Sequence, residues 1–354
     1  MFYPESGNTI SNTLCGLPEV NIDKPEEIIA ALETSRGFIT EIGNGFDLIA
    51  EELFKRYNQF IQQPNEYKQQ FKGEMTTDTK GYYEDSIVNG NKIGPRFFIR
   101  MDKNNQLSQT LPIFSDGTSM KVLNESLHVN VQPIIDKTIK ALEDKFKFNR
   151  NELKSQFFCA SATSLHHNKP VSREKLQHWL DNKQLTKTPD GNIEAMMQHK
   201  DLVGLTVLIY RNNNAKGLEI KIKNNQAKGY VALELPQSKD KVKVVVILGR
   251  LMNQLIPSMK ALSHRVIASP LAPNVTFSRD VINIFVLPDM QATLVKGKQK
   301  MTAGEFFSEV FKLYEQRREE KAAVSISTKE LESYPKAEDI EVINTSQGIS
   351  YKLK

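Results

Sequence analysis

Leu218-Glu219-Ile220-Lys221-Ile222-Lys223 alternates apolar and charged residues without a break. Alternate residues of a strand face opposite sides, so this stretch predicts a β-strand with one face on a core and one in water. Several other short stretches read as strands on both sides of it: Gln156 to Ala160, Gly204 to Tyr210, Gly229 to Leu235, Val242 to Leu248, Arg265 to Ser269 and Val281 to Leu287. Strands in such close succession predict an antiparallel sandwich or barrel. A polar insert at 168–195 interrupts the series, with a helical pattern around Leu176, Trp179 and Leu180.

Outside this region the apolar period becomes helical. A helix is expected after Asp23, with Pro25 in its first turn, Ile28, Ile29 and Leu32 as its stripe, and Gly37 at its end. Gly37 to Ile42 reads as a strand, and Ile49, Leu53, Tyr57 and Phe60 mark a second helix that Pro64 stops. Val131, Ile134, Ile135, Ile139, Leu142 and Phe146 mark a third. Thr302 and Glu305 form a box that opens a last helix, followed by a polar tail. With no Pro/Gly/Ser-rich linker, residues 1–354 read as one compact domain.

Composition excludes several classes. The 354 residues are 39% hydrophobic and 25% charged, as in globular proteins. No run approaches the roughly 18 apolar residues of a membrane helix, and Met1 to Glu5 lacks a secretory pattern. Cys15 and Cys159 cannot build a disulfide scaffold and suit a reducing, cytoplasmic compartment. The net charge of +5 is spread among acids, so no nucleic-acid or membrane partner is expected; the dense run Lys239 to Lys243 reads as a solvated turn.

Of six histidines, only His199 is followed two residues later by an aspartate, Asp201. On extended chain such a pair presents imidazole and carboxylate to one side. His264 opens another strand-like stretch. Two histidines and a carboxylate are the ligand set of a non-haem Fe(II) site with open positions for substrate and O₂. Arg279, on the approach to a buried strand, is a candidate clamp for a carboxylate. His166-His167 reads as a polar loop, since adjacent strand residues face apart. Tyr210, Phe285 and Phe306 are expected in the core, with a pocket lining as the alternative. No nucleophile elbow or phosphate-binding glycine loop occurs.

These motifs, in this order, resemble the isopenicillin N synthase-like branch of the Fe(II)/2-oxoglutarate-dependent dioxygenases. The similar segments are His199-Lys200-Asp201, Leu205 to Leu208, Gly217 to Ile220, Met259 to Val266 and Arg279 before Phe285 and Pro288, preceded by Leu17 to Asp23, Gly37 to Gly45, Phe60 to Tyr67 and Gly81-Tyr82-Tyr83. The resemblance spans about residues 15–290. It implies a mainly β, α+β fold: a double-stranded β-helix (jelly roll) flanked by helices. It also implies iron on His199, Asp201 and His264, and 2-oxoglutarate with its far carboxylate on Arg279, consumed with O₂ to oxidise a small organic substrate. Residues 15–125 would be the N-terminal region, 126–295 the catalytic core, and 296–354 a C-terminal helix and tail.

The chain departs from the family pattern in three places. Arg279-Asp280-Val281 stands where the family has Arg-x-Ser, Phe157 to Ser161 where it has a tyrosine-proline segment, and Gly249-Arg250 where it has Gly-Asp. An iron oxidase that needs no 2-oxoglutarate, with Arg279 gripping the substrate, and a family member that binds without turnover are the alternative expectations.

Overall fold

The structure is a computed structural model. It describes residues 16–43, 45–73, 80–84, 86–88, 91–93, 95–104, 106–107, 109–168, 173–181, 186–187, 193–211, 215, 217–223, 228–236, 241–268, 279–296, 299–324, 340–345 and 348–353. The first half runs α1 (Pro25–Ser35), β1 (Gly37–Ile42), α2 (Phe46–Ile61), α3 (Asn65–Gln69), β2 (Gly81–Tyr83), β3 (Ser86–Val88), β4 (Asn91–Ile93), β5 (Arg96–Met101), α4 (Met120–Phe146) and α5 (Glu152–Phe157). Then come β6 (Ala160–Asn168), α6 (Arg173–Asp181), β7 (Thr186–Lys187), β8 (Ile193–His199), β9 (Leu205–Tyr210), β10 (Leu218–Lys223), β11 (Lys228–Ala232), β12 (Val242–Leu248), α7 (Arg250–Leu255), β13 (His264–Ala268) and β14 (Arg279–Leu287). The chain closes with β15 (Thr293–Lys296), β16 (Gln299–Thr302), α8 (Ala303–Val324), β17 (Ile340–Thr345) and β18 (Gly348–Leu353). Two compact units result, Met1–Phe311 and Lys312–Lys354, and the division falls inside α8.

In the first unit a seven-stranded sheet has the order β1-β12-β9-β14-β6-β5-β2 and a five-stranded sheet the order β11-β10-β13-β8-β7. All the ladders of these two sheets are antiparallel. From β8 to β14 the chain moves between the two sheets, with β8, β10, β11 and β13 in the smaller and β9, β12 and β14 in the larger. Ile39, Leu208, Tyr210, Val245, Ile247 and Val281 of the larger sheet pack with Leu218, Ile220 and Val266 of the smaller in one buried cluster. This core therefore lies between the sheets, and alternate residues of each strand line it.

The other face of the larger sheet carries the helices. Phe60 of α2 is fully buried and meets Phe97 and Tyr82 edge-on, both with ring centroids at 5.1 Å. His128 of α4 is within 2.8 Å of the Thr163 hydroxyl on β6.

Some elements differ from the sequence reading. Gln156 is in helix α5, and the strand expected from there begins at Ala160 and extends through His166 and His167 to Asn168, so that histidine pair is not a loop. Helix α1 starts after Lys24 and ends at Arg36, whose left-handed φ of 64° does what Gly37 was expected to do. Asp23 pairs instead with Lys137 of α4 at 2.5 Å. Glu305 N–H bonds Thr302 Oγ1 and Thr302 N–H bonds the Glu305 carboxylate, the box expected at the start of α8. Lys241 and Lys243, from the basic run, are on or beside β12 and pair with Glu41 at 2.7 and 2.6 Å. Among the described residues no helix is long and apolar enough to cross a membrane.

Burial holds the His128 imidazole down at about 4 from its ordinary 6.5. The unfolded chain thus takes up this proton before the folded one, and stability falls as the pH drops from about 6.5 to about 4. His128→Gln keeps a hydrogen-bonding group opposite Thr163 without the charge. Denaturant titrations across that range are expected to lose ~3 kcal/mol of acid destabilisation in this variant.

Candidate metal centre

His199 is the last residue of β8, and its register partner on the neighbouring strand is His264, the first residue of β13. Two imidazoles 65 positions apart in sequence thereby stand side by side, with ring centroids 4.2 Å apart. Asp201 follows in the turn toward β9. Its Oδ1 is 3.5 Å from His199 Nε2 and 3.7 Å from His264 Nε2. One donor atom from each of the three residues lies within 4.8 Å of the other two, a spacing that admits a metal ion between them. The side chains are 16%, 10% and 7% exposed for His199, Asp201 and His264, so the cluster is sheltered but reachable.

The surrounding contacts leave the right atoms available. His264 Nδ1 is 3.3 Å from the Leu262 carbonyl, to which it donates; Nε2 then keeps its lone pair for the cluster. Asp201 Oδ2 accepts the Thr206 hydroxyl at 2.6 Å, which leaves Oδ1 for the cluster. Burial alone would raise the Asp201 carboxyl, but the nearby His264, His199 and the Thr206 hydroxyl outweigh it, so the group sits below the usual carboxylate range and is ionised. Two imidazole nitrogens and a carboxylate oxygen are the donors that suit divalent iron, and three ligands leave coordination positions open.

The backbone holds this cluster from both sides. Arg250 N–H donates to the Asp201 carbonyl at 2.7 Å, and Gly249 N–H to the Gly204 carbonyl at 3.0 Å. On β13, Arg265 reaches Glu219 of β10 at 2.7 Å and Glu194 of β8 at 3.5 Å, and its guanidinium lies 4.3 Å over the Tyr230 ring of β11. His264 is thus set on a strand tied to its neighbours on each side.

Most of the remaining candidates belong to the larger sheet. Thr206 lies opposite Phe285, Leu208 opposite Asn283 and Tyr210 opposite Val281, and Arg279 opens β14 opposite Asn168 of β6. Tyr210 is buried in the core cluster, Phe306 is buried, and Phe285 is half-buried beside the Thr206 row. Val281 is fully buried. The segment Phe157 to Ser161 does not lie beside positions 279 and 281; Asn168 and His166 do. Sequence reading missed His166, Ser164 and Asn283, all buried on the inner face of this sheet. Histidine and serine at 166 and 164, at the spacing of one strand face, are the signal that a correct start for β6 would have supplied.

No protein-family profile matches the chain, and no curated protein does. Solved structures do. A full-length Neurospora crassa protein, in complex with alpha-KG and thymine, superposes with a TM-score of 0.65 at 14% identity, over 84% of this chain and 96% of that one. AtDAO1 from Arabidopsis thaliana, in complex with 2-oxoglutarate, gives 0.54 at 15% identity over 77% and 93%. JOX2, in complex with 2OG, Fe and JA, gives 0.56 at 13% identity over 82% and 85%. These likenesses are likenesses of fold. An antiparallel sheet core with helices is what this chain shares with these proteins.

Thr206→Val removes the hydroxyl that orients Asp201 and preserves side-chain shape. Titration with Co(II), followed in the visible spectrum, is expected to show affinity about 10–100-fold weaker than for the unsubstituted protein.

Proposed function

We propose that this protein is a non-haem Fe(II)- and 2-oxoglutarate-dependent oxygenase, an oxidoreductase that hydroxylates, desaturates or cyclises a small organic molecule. The observation that carries the proposal is the convergence of His199, Asp201 and His264 from two neighbouring strands and a turn into one donor set. We further read the two sheets as a double-stranded β-helix of the isopenicillin N synthase-like kind. The alternation of β8 to β14 between the sheets supports this reading. Residues 126–295 would then be the catalytic core, with 168–195 as an insert in it, and 15–125 the N-terminal region.

In this reading His199, Asp201 and His264 hold the iron, which supplies, when bound, the redox chemistry that couples decarboxylation of 2-oxoglutarate to oxidation of a C–H bond. The protein's own part is positional. Thr206 fixes the Asp201 carboxylate, and the Leu262 carbonyl fixes the His264 ring. Arg279 takes the far carboxylate of the cosubstrate, for which a planar guanidinium is the fitting partner. The inter-sheet core, with Leu208, Tyr210 and Val281, excludes water from one side of the site.

One observation favours a second reading. Val281 offers no hydroxyl to a carboxylate beside Arg279 and is buried among apolar residues. An iron oxidase that uses no 2-oxoglutarate, with Arg279 on a substrate carboxylate, would not need that hydroxyl.

Anaerobic addition of Fe(II) and then 2-oxoglutarate separates the two. The oxygenase is expected to give a visible metal-to-ligand charge-transfer band and, on admission of O₂, succinate; both are expected to vanish in His199→Ala. Arg279→Ala is expected to keep its iron and to bind 2-oxoglutarate about 10–100-fold more weakly. Iron uptake without band or succinate would favour the oxidase, and a protein that takes up no iron would sink both.

A further inference from the structure

Asn283 stands on the inner face of β14, two residues from Val281 and two from Phe285, and is 9% exposed. Its Nδ2 is 3.1 Å from His166 Nε2, which is itself 2.7 Å from Ser164 Oγ. His166 and Ser164 are 3% and 0% exposed. The other end of the amide, Oδ1, is buried and has no hydrogen-bond partner among the described residues. A buried amide oxygen left in this way keeps the cost of its desolvation unrepaid.

Donors and acceptors in this trio cannot all be matched. An imidazole Nε2 carries either one lone pair or one N–H, so it cannot accept from both the Asn283 amide and the Ser164 hydroxyl. Turning the amide over lets an Nε2 N–H donate to Oδ1 or to Ser164 Oγ, one at a time, and it places Nδ2, a donor, where Oδ1 now lies. In either orientation one polar atom of this amide is turned away from His166 and lacks a protein partner among the described residues. That is the arrangement of a side chain held ready for a ligand.

Its place in the register says which ligand. Thr206, which holds Asp201, is opposite Phe285; Asn283 is one side-chain repeat further along β14, roughly 7 Å, and Val281 one repeat beyond that. Any molecule that extends from the metal ligands toward Arg279 along this strand passes Asn283 before it reaches position 281. We propose that Asn283, oriented by His166 and Ser164, donates its amide N–H to a carboxylate of bound 2-oxoglutarate and supplies the contact that Val281 cannot. The proposal rests on the oxygenase reading above. Asn283 is here a binding residue, and His166 and Ser164 are positioning residues.

The test is equilibrium binding on the full chain loaded with Fe(II) under anaerobic conditions, read by the charge-transfer band and by calorimetry. Asn283→Leu, of similar volume but without the amide, is expected to raise the Kd for 2-oxoglutarate about tenfold or more. Asn283→Asp, of the same shape, is expected to raise it further, because it sets one carboxylate against another. The Fe(II) affinity of both is expected to remain within about twofold, which a general loss of structure would not allow. Val281→Ser added to the Asn283→Leu chain is expected to recover part of the lost affinity. Should Asn283→Leu fail to take up iron, Asn283→Asp carries the comparison. Unchanged 2-oxoglutarate affinity in the variants, with a band in the unsubstituted protein, would overturn the role of Asn283 and leave the oxygenase standing. Iron uptake with no 2-oxoglutarate binding in the unsubstituted protein would instead overturn the oxygenase reading itself.

Discussion

The site depends on how closely two backbone segments can approach at Gly249. A Cβ at this position would lie 1.9 Å from the Val203 carbonyl oxygen and 3.0 Å from that of Asp201. Only glycine permits the approach, and through it the start of α7 is hydrogen-bonded to the turn that carries Asp201: Gly249 to Gly204, Arg250 to Asp201 and Leu251 to Leu202. This turn joins β8 of the smaller sheet to β9 of the larger, so the same contact holds the segment that carries Asp201 where the chain passes between the sheets. Arg250 keeps its part through its backbone N–H, which any residue but proline supplies.

A second constraint follows from burial. The space between the sheets is mainly apolar, yet the inner face of the larger sheet carries Thr206, Asn283, Ser164 and His166 there. Buried polar groups persist where polar neighbours are within reach: Thr206 bonds Asp201, and Ser164 Oγ and Asn283 Nδ2 share His166 Nε2. The opposite face of the same sheet shows the contrast. There His128 and Thr163 pair where α4 packs, and burial simply keeps the imidazole neutral.

Much of this was legible along the chain. Strands β1, β9, β10 and β12 have β-branched or alternating residues and clean ends, and their expected and observed limits nearly coincide. Strand β8, Ile193–His199, reads Ile-Glu-Ala-Met-Met-Gln-His; most of these residues favour helix in isolation, and only its place between β13 and β7 makes it extended. The start of β6 was misplaced for a similar reason, because Phe157 and Phe158 are apolar enough for a strand but close a short helix that Glu152 begins.

By itself, then, the sequence determined the donor types of the candidate site, their order, and a mainly β chain with amphipathic helices, because these follow from side-chain chemistry and local period. The tertiary structure alone decided that His264 stands opposite His199, that Thr206 serves Asp201, and that His166 rather than the Phe157 segment lies beside Val281. Cross-strand neighbours are set by register between segments far apart in sequence, and a slip of one residue would turn every one of these side chains to the other face. No local pattern along the chain carries that information.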